Sequence, residues 1–316
     1  MGGVKRRVLK FGGTSVGSPL PLRAAVAIVE RALQEAPLVV VVSALSGVTD
    51  ALEAALAGAA TGRLDAGRFV GALRERHLAL LRAFASGRAA TRATTEIVAR
   101  LRALEDLLGD AAASRGASAA VRAFVLATGE RLSAPIVAAA LRARHLEATA
   151  CDAAGLLRTD AAWSEAAVDF PATRGLVDAA IGALPAPALP VVTGFIGATE
   201  QGATTLLGRG GSDYTAAVLG WALEAERVEI WSDVPGVMSG DPRRDASART
   251  LPRLSYGEAA ALARAGAKVL HPRTLQPLEP LGIPVFVGRT LEPDGPGTWI
   301  GPAERAEQRR EDETAA

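Results

Sequence analysis

The chain has 316 residues, of which 49% are hydrophobic, so it is long enough and apolar enough for one large domain or two. Lysine and arginine total 35 while aspartate and glutamate total 34, and this balance gives no reason to expect nucleic acid or a membrane surface as a partner. A single cysteine, Cys151, excludes an internal disulfide, and neither a signal-peptide core nor ~20 uncharged apolar residues in a row is found, so we expect a cytoplasmic protein.

The first elements in chain order predict a βαβ unit. We expect a strand over Arg7–Phe11, a helix over about Pro21–Glu35 and a second strand over Leu38–Ser43. The valine run of that second strand suits burial on both faces of a parallel sheet. Ligands of such units bind at the carboxyl ends of the strands, where Lys10 and Ser43 both lie.

A glycine-rich loop follows the first strand. Gly12, Gly13, Thr14 and Ser15 come after Lys10 and precede a helical segment. The order differs from that of the common phosphate loop, in which the lysine follows the glycines. A lysine at a strand end can still reach a phosphate whose oxygens are held by the glycine amides.

The middle of the chain is predicted to be helical. Residues 51–116 are rich in Ala, Leu, Arg and Glu, and we interpret them as a helical insertion that packs on the sheet. Within it, Arg74–His77 is typical of a solvated helix face, which predicts a surface position for His77.

A strand-like apolar run, Ala123–Thr128, is followed by a predicted helix from Gly129 to Arg144. Glu130 would then lie in the first turn of that helix, at a site edge. On the pattern alone, a carboxylate favoured by the helix dipole is the better interpretation of Glu130.

Strands and helices continue to alternate after residue 147, and the second half, from Pro190, repeats the design of the first. The predicted elements are strands over Glu147–Asp152, Pro190–Ile196 and Arg227–Trp231, helices over Thr173–Leu184 and Leu254–Ala265, and a last clear strand over Ile283–Gly288.

A second glycine-rich loop lies within Leu206–Ala217 and contains Gly208, Gly210 and Gly211, with Arg209 among them. Ser212 and Asp213 follow and are predicted to cap the next helix. Taken alone, this pattern also fits a tight turn that enters a helix. Because a loop of the same design lies near the N-terminus, we favour an anion site.

Eight segments, in order over about residues 7–300, resemble the signature of the aspartate kinase family. They are Lys10–Val16, Ser43–Thr49, Thr128–Glu130, Gly194–Gly197, Leu207–Thr215, Trp231–Gly236, Asp241–Arg243 and Gly266–Pro272. The resemblance implies an α/β fold, a three-layer α/β/α sandwich with a mainly parallel central sheet. Residues 1–301 would be the catalytic domain, with a substrate-side N-lobe and a nucleotide-side C-lobe from about 190; 302–316 would be a charged, disordered tail.

The resemblance also implies transfer of the γ-phosphoryl group of ATP, with Mg²⁺, to the β-carboxylate of L-aspartate. That nucleophile is already deprotonated at pH 7 and needs no general base. The implied catalytic residues are Lys10 and Asp213, and the implied substrate-binding residues are Ser43, Thr49, Glu130, Arg209 and Ser212. The implied nucleotide-binding residues are Lys10, Gly12, Gly13, Ser15, Gly210, Gly211, Ser232, Asp233, Met238, Arg243 and Lys268.

The sequence departs from the family pattern in two places, and two alternative functions remain open. Met238 stands where the family commonly has an aromatic residue beside the nucleotide. The sequence after Gly301 is too short for the paired ACT domains of many members, so the chain is either an unregulated stand-alone kinase or a fragment of a longer protein. We expect the chain as given to be insensitive to lysine and threonine. Another small acid, such as glutamate or acetylglutamate, and a non-catalytic sensor on the same fold are the alternatives. We also expect a homodimer.

Overall fold

One mixed sheet organises the part of the chain that the computed structural model describes, residues 5–182, 184, 187–240, 248–264 and 270–303. Its eight strands in that part are β1 (Arg7–Phe11), β2 (Leu38–Val42), β3 (Ala148–Cys151), β4 (Leu189–Thr193), β7 (Val228–Ser232), β8 (Arg253–Ser255), β9 (Val285–Arg289) and β10 (Thr298–Gly301). Strands β5 (Ile196–Ala198) and β6 (Thr204–Leu206) form a separate hairpin.

The sheet order is β3-β4-β2-β1-β7-β9-β10-β8, and neighbouring strands are parallel except for β9 and β10. All residues of β2 are buried, as expected for a valine run in the middle of a parallel sheet. β1 pairs with β2 on one side and with β7 on the other. The first half of the chain therefore adds its strands on one side of β1, and the later strands β7 to β10 lie on the other side. Ligands of open α/β sheets bind at such a switch point, outside the carboxyl ends of the strands.

Helices flank this sheet and complete a three-layer α/β/α sandwich, as the family resemblance implied. They are α1 (Gly13–Val16), α2 (Pro19–Leu33), α3 (Val48–Ala60), α4 (Ala66–Arg82), α5 (Gly87–Ala113), α6 (Ala119–Arg142), α7 (Phe170–Val177), α8 (Gly211–Ala222), α9 (Tyr256–Arg264) and α10 (Pro272–Leu275). α8 packs on β1, β2 and β7, and α6 packs on β2, β3 and β4. The predicted insertion over 51–116 corresponds to α3, α4 and α5.

The predicted strand over Ala123–Thr128 is wrong, because these residues belong to the single helix α6. An apolar run buried on all sides has no periodicity to distinguish strand from helix. α6 has the length and composition of a membrane span, but 94% of its most apolar window is buried inside the protein, as in a core helix. Glu130 therefore lies in mid-helix, away from a helix N-terminus.

Three further predictions need correction. His77 is fully buried, because it occupies the inward face of α4 although its sequence neighbours Arg74, Glu75 and Arg76 are exposed. Ile283–Gly288 is not the last strand, since β10 follows it. The cap of α8 is Gly210 in a left-handed conformation, so Ser212 and Asp213 lie inside its first turn.

Candidate active site

A cavity of about 380 Å³ lies at the carboxyl ends of β1 and β2, where the two glycine-rich loops meet the N-terminus of α3 and the middle of α6. It gathers all of the predicted substrate-binding and catalytic residues, which come from four separate stretches of the chain. The predicted residues that line it are Lys10, Gly13, Ser43, Thr49, Glu130, Arg209, Gly210, Gly211, Ser212 and Asp213.

Lys10 and Asp213 form an ion pair inside this cavity, with Nζ 2.6 Å from Oδ1. The side chain of Lys10 is only 9% exposed, and that of Asp213 is 19% exposed. β1 delivers the lysine from its carboxyl end, and the first turn of α8 delivers the aspartate. The pair thus joins the two loops and holds a cation beside two sets of helix N-terminal amides, which is favourable for a phosphoryl group.

The second glycine-rich loop owes its shape to two left-handed glycines. Gly208 has a φ of 75° and Gly210 a φ of 70°, a region in which other L-residues are strained. Arg209 stands between them, exposed, and within the described residues it has no ion-pair or hydrogen-bond partner. Its guanidinium group is therefore available for an anion that enters the cavity.

Glu130 faces the cavity from α6 with its carboxyl group almost completely buried. Burial raises its pKa to about 8, against the opposing effects of backbone hydrogen bonds at Ala44 and at Glu130 itself, and of the nearby Lys10 and Arg131 charges. Within the part of the chain that the structure describes, Oε2 of Glu130 has no hydrogen-bond partner. A buried carboxyl oxygen without a partner favours a ligand that brings a proton donor or a cation.

The first glycine-rich loop connects this cavity to the end of β7. A methyl group at Gly12 would lie 3.6 Å from Nζ of Lys10 and 3.9 Å from Cβ of Ser232. The hydroxyl of Ser15 is already used within the protein, since it lies 2.7 Å from Oγ1 of Thr290 and donates to the carbonyl of Trp231 at 3.2 Å. The nucleotide-binding role of Ser15 stays a prediction.

Three other predicted nucleotide residues, Ser232, Asp233 and Met238, lie at or after the end of β7 and do not line the cavity. Asp233 is exposed, Ser232 accepts a hydrogen bond from the amide of Val234 at 3.3 Å, and Met238 accepts one from Thr250 at 3.5 Å. Arg243 and Lys268 lie outside the described residues. The structure therefore brings the predicted substrate-binding residues together in one cavity. The predicted nucleotide-binding site stays a prediction.

Phe195 lines the cavity but was not expected there. It follows β4 with a φ of 68°, a conformation that is sparsely populated for an aromatic residue and that clusters at functional sites. A methyl group at Gly211 would lie 2.6 Å from its ring, so the ring packs directly on the start of α8. Nothing in the local sequence pattern predicts this backbone conformation.

Comparison with known proteins agrees with this geometry. The sequence profile described as the amino acid kinase family matches residues 5–289. The lysine-sensitive aspartokinase 3 of Escherichia coli is 38% identical over 298 residues, which are 93% of this chain and 63% of that protein. The chloroplastic aspartokinase 1 of Arabidopsis thaliana is 34% identical over 311 residues, or 93% of this chain and 51% of that protein.

A solved structure described as E. coli aspartokinase III in complex with aspartate and ADP superimposes with a TM-score of 0.85 at 36% identity. The match covers 94% of this chain and 65% of that one. The chain thus spans slightly less than two thirds of E. coli aspartokinase III and about half of the Arabidopsis relative.

Proposed function

The chain belongs to the amino acid kinase family, and from this we propose that it is an aspartate kinase, which transfers the γ-phosphoryl group of MgATP to the β-carboxylate of L-aspartate. The product would be 4-phospho-L-aspartate, the first intermediate towards lysine, threonine and methionine. The observation that carries the proposal is the cavity in which the Lys10–Asp213 ion pair, exposed Arg209 and buried Glu130 meet.

An amino acid with two carboxylates matches the charges of this cavity. Arg209 offers a planar cationic fork for the α-carboxylate, and the buried carboxyl group of Glu130 offers a partner for the α-ammonium. Ser43, Thr49 and Ser212 add hydroxyl groups to the same wall. The orphaned oxygen of Glu130 favours a free ammonium group over an N-acylated acid, which brings no positive charge.

The remaining carboxylate of the substrate would face Lys10 and the incoming phosphoryl group. Phosphoryl transfer depends mainly on in-line positioning and on stabilisation of the charge on the transferred oxygens. Lys10 would supply that charge, the amides at Gly12, Gly13, Gly210 and Gly211 would hold the phosphate oxygens, and Asp213 would orient Lys10. A buried ammonium acts strongly here because the surrounding dielectric is low.

The metal and the nucleotide are part of the proposal. Mg²⁺ keeps several waters and binds through phosphates with one or two carboxylates, and Asp213 is a carboxylate on the wall of this cavity. Mg²⁺ would neutralise phosphate charge during transfer. The nucleotide would extend past Gly12 towards Ser232, Asp233 and Met238. The cytoplasmic location and the homodimer stay predictions.

An ATP-dependent hydroxamate assay tests the proposal, with L-aspartate, L-glutamate and N-acetyl-L-glutamate as acceptors. We expect a hydroxamate from L-aspartate, lowered by about 10²–10³-fold in Lys10→Ala, because this substitution removes the cation beside the transferred group. Lys5→Ala, an exposed lysine just before the same strand, is the matched control and should retain activity. Turnover of another acid, but not of L-aspartate, would contradict the proposed substrate. Nucleotide binding without turnover of any acid would favour a non-catalytic sensor built on the same fold.

A further inference from the structure

We propose that Arg273, in the short helix α10, is a positioning residue that fixes residues 208–213, the glycine-rich loop and the start of α8, from both ends of that segment. The side chain is half-buried. Its Nη1 donates to the carbonyl of Leu207 at 3.1 Å, and its Nη2 donates to the carbonyl of Ala166 at 2.8 Å. The same guanidinium carbon lies 4.3 Å from the ring centroid of Tyr214.

These contacts bracket the loop that the proposed reaction needs. Leu207 is the residue before the loop, and Tyr214 lies in the first turn of α8, which follows the loop. Between them lie Arg209 and Asp213, which would bind the substrate and orient Lys10. Because Gly208 and Gly210 give the residues before α8 little stiffness of their own, contacts on either side decide how Arg209 stands relative to Asp213 in the first turn of α8.

Neighbouring contacts show that Arg273 is part of a wider support of the loop. A methyl group at Gly210 would lie 3.0 Å from Cβ of His271, so the residue before α10 packs directly on the loop. The carbonyl of Ala166 belongs to a segment that pairs with β6, since the Ala166 amide donates to Leu206 at 2.9 Å. Arg273 thus ties the start of α8, the end of β6 and this segment to one planar group.

The geometry requires arginine in particular. Two donors in one plane reach two carbonyl oxygens, while the face of the same plane stacks on an aromatic ring. A lysine at this position can donate to one carbonyl but cannot present a planar face to Tyr214. Arg273→Lys should therefore retain only part of the function that Arg273→Gln loses.

Arg174 of α7 provides a matched control, because it contacts the opposite end of α8. Arg174 stacks on Trp221 with the same 4.3 Å separation and donates to the Trp221 carbonyl at 3.4 Å. It is half-buried like Arg273, but it belongs to α7 and contacts the last turn of α8, at the end away from the loop. Arg174 also forms an ion pair with exposed Glu224 at 3.0 Å. If Arg273 only stabilised the fold, its loss would affect the kinetics no more than the loss of Arg174.

The kinetic test compares Arg273→Gln, Arg273→Lys and Arg174→Gln, and it rests on the proposed function. We expect Arg273→Gln to lower kcat/KM for aspartate by about 10-fold or more, because small displacements of groups that position a substrate are costly. Arg273→Lys should fall between this variant and the wild type, and Arg174→Gln should stay within about twofold of the wild type at a comparable loss of Tm. Equal kinetics of Arg273→Gln and Arg174→Gln would overturn the proposal.

Hydrogen exchange of the ligand-free protein tests the same inference without reference to any substrate. Arg273→Gln should accelerate exchange of the amides from 208 to 214, and Arg174→Gln should accelerate exchange only near 221–225. Unchanged protection of 208–214 in Arg273→Gln would overturn the proposal. If the wild type phosphorylated no acid, the proposed function would fail, and this measurement alone would decide the role of Arg273.

Discussion

Glu130 shows how the surroundings of a single side chain change its chemistry. Its raised pKa, about 8, means that the folded protein holds a proton at pH 7 that the unfolded chain has released. An ammonium group of a bound amino acid would favour the charged carboxylate and lower that pKa. The neutral acid of the free protein and the carboxylate of the complex are therefore two states of one site.

Binding of L-aspartate near pH 7 should release a proton from Glu130. Calorimetric titration in two buffers of different ionisation enthalpy measures this release directly. Glu130→Gln keeps the shape of the side chain but cannot ionise, so we expect weaker aspartate binding and no proton release. Equal proton release in the wild type and in this variant would contradict the role of Glu130.

The same residue makes stability depend on pH. Between pH ~4.5 and pH ~8 the folded state binds one proton more than the unfolded state at Glu130, so its contribution to stability falls as pH rises, by at most about 1.4 kcal/mol per pH unit. Denaturant unfolding at pH 6 and pH 8.5 should show Glu130→Gln gaining stability relative to the wild type at the higher pH. A constant difference between the two proteins would contradict the buried, protonated acid.

His77 has the opposite linkage. Burial lowers its pKa to about 4, while its Nδ1 donates to the carbonyl of Leu73 at 2.7 Å. From pH 6.5 down to pH 4 the unfolded chain takes up a proton that the folded chain refuses, so stability is lost as pH falls.

His77→Leu should reduce this loss of stability, measured as the free energy of unfolding at pH 6.5 and at pH 4.5. His145→Asn is the matched control, because His145 is exposed and has a φ of 62°, a conformation that asparagine tolerates. We expect the control to keep the wild-type pH dependence. An unchanged pH dependence in His77→Leu would contradict the account.

The sequence predicted the positions of some of these side chains, but it did not predict the burial or the contacts of others. Lys10 lies near the end of β1 and Ser43 directly follows β2, and both strands have clear apolar runs, so their position at the sheet edge could be predicted. The burial of His77 could not be read from its neighbours, since adjacent residues on a helix point in different directions. Arg273 could not be predicted, because its partners are carbonyl groups far away in the chain.

At the scale of elements, the close packing of α6 on the loop after β2 sets the depth of the cavity. A methyl group at Gly129 would lie 2.7 Å from Cβ of Ala44, closer than two carbon atoms can approach. Ser133 reinforces the same contact by donating to the carbonyl of Ser43 at 2.7 Å. The glycine next to Glu130 therefore allows the helix and the loop to share one wall of the site.

Gly129→Ala should push α6 away from that loop, at a cost of about 1–3 kcal/mol of stability and with weaker binding of aspartate. The double variant Gly129→Ala with Ala44→Gly lacks the opposing methyl group, so it should recover part of the stability and part of the aspartate affinity. Thermal unfolding and aspartate titration of the single and double variants provide the measurement.

Gly109→Ala is the control for this experiment, because Gly109 is exposed in α5 with no atom near the added methyl group. It should stabilise the protein by about 0.5–1 kcal/mol through helix propensity. Full aspartate affinity in Gly129→Ala would contradict the proposed wall.

Elements were predicted best where one pattern dominated. The strands β1 and β2 match their apolar runs, and the insertion is helical as its composition indicated. The strand predicted over Ala123–Thr128 was wrong, because these residues lie in α6. Burial removes the alternation of apolar and polar residues that distinguishes a strand from a helix. β10 was missed because its four residues, with exposed Trp299 among them, form too short a signal.

At the scale of the whole molecule, the order of strands explains why distant segments form one site. β1 lies between β2 and β7, so the loops after these three strands meet at one edge of the sheet. The amino acid would bind on the β2 side and the nucleotide on the β7 side, with Lys10 between them. That order depends on the pairing of Val8 with Val228, more than 200 residues apart, which the local sequence pattern cannot specify.

Reduction of the reaction product with borohydride tests the central claim most directly. An acyl phosphate is reduced to a primary alcohol at the carboxyl group that carried the phosphate, so the alcohol identifies the acceptor atom. With L-aspartate, MgATP and the wild-type protein, we predict homoserine, the alcohol of the β-carboxylate. The isomer 3-amino-4-hydroxybutanoic acid, which reports phosphorylation of the α-carboxylate, or the absence of both alcohols would contradict the account.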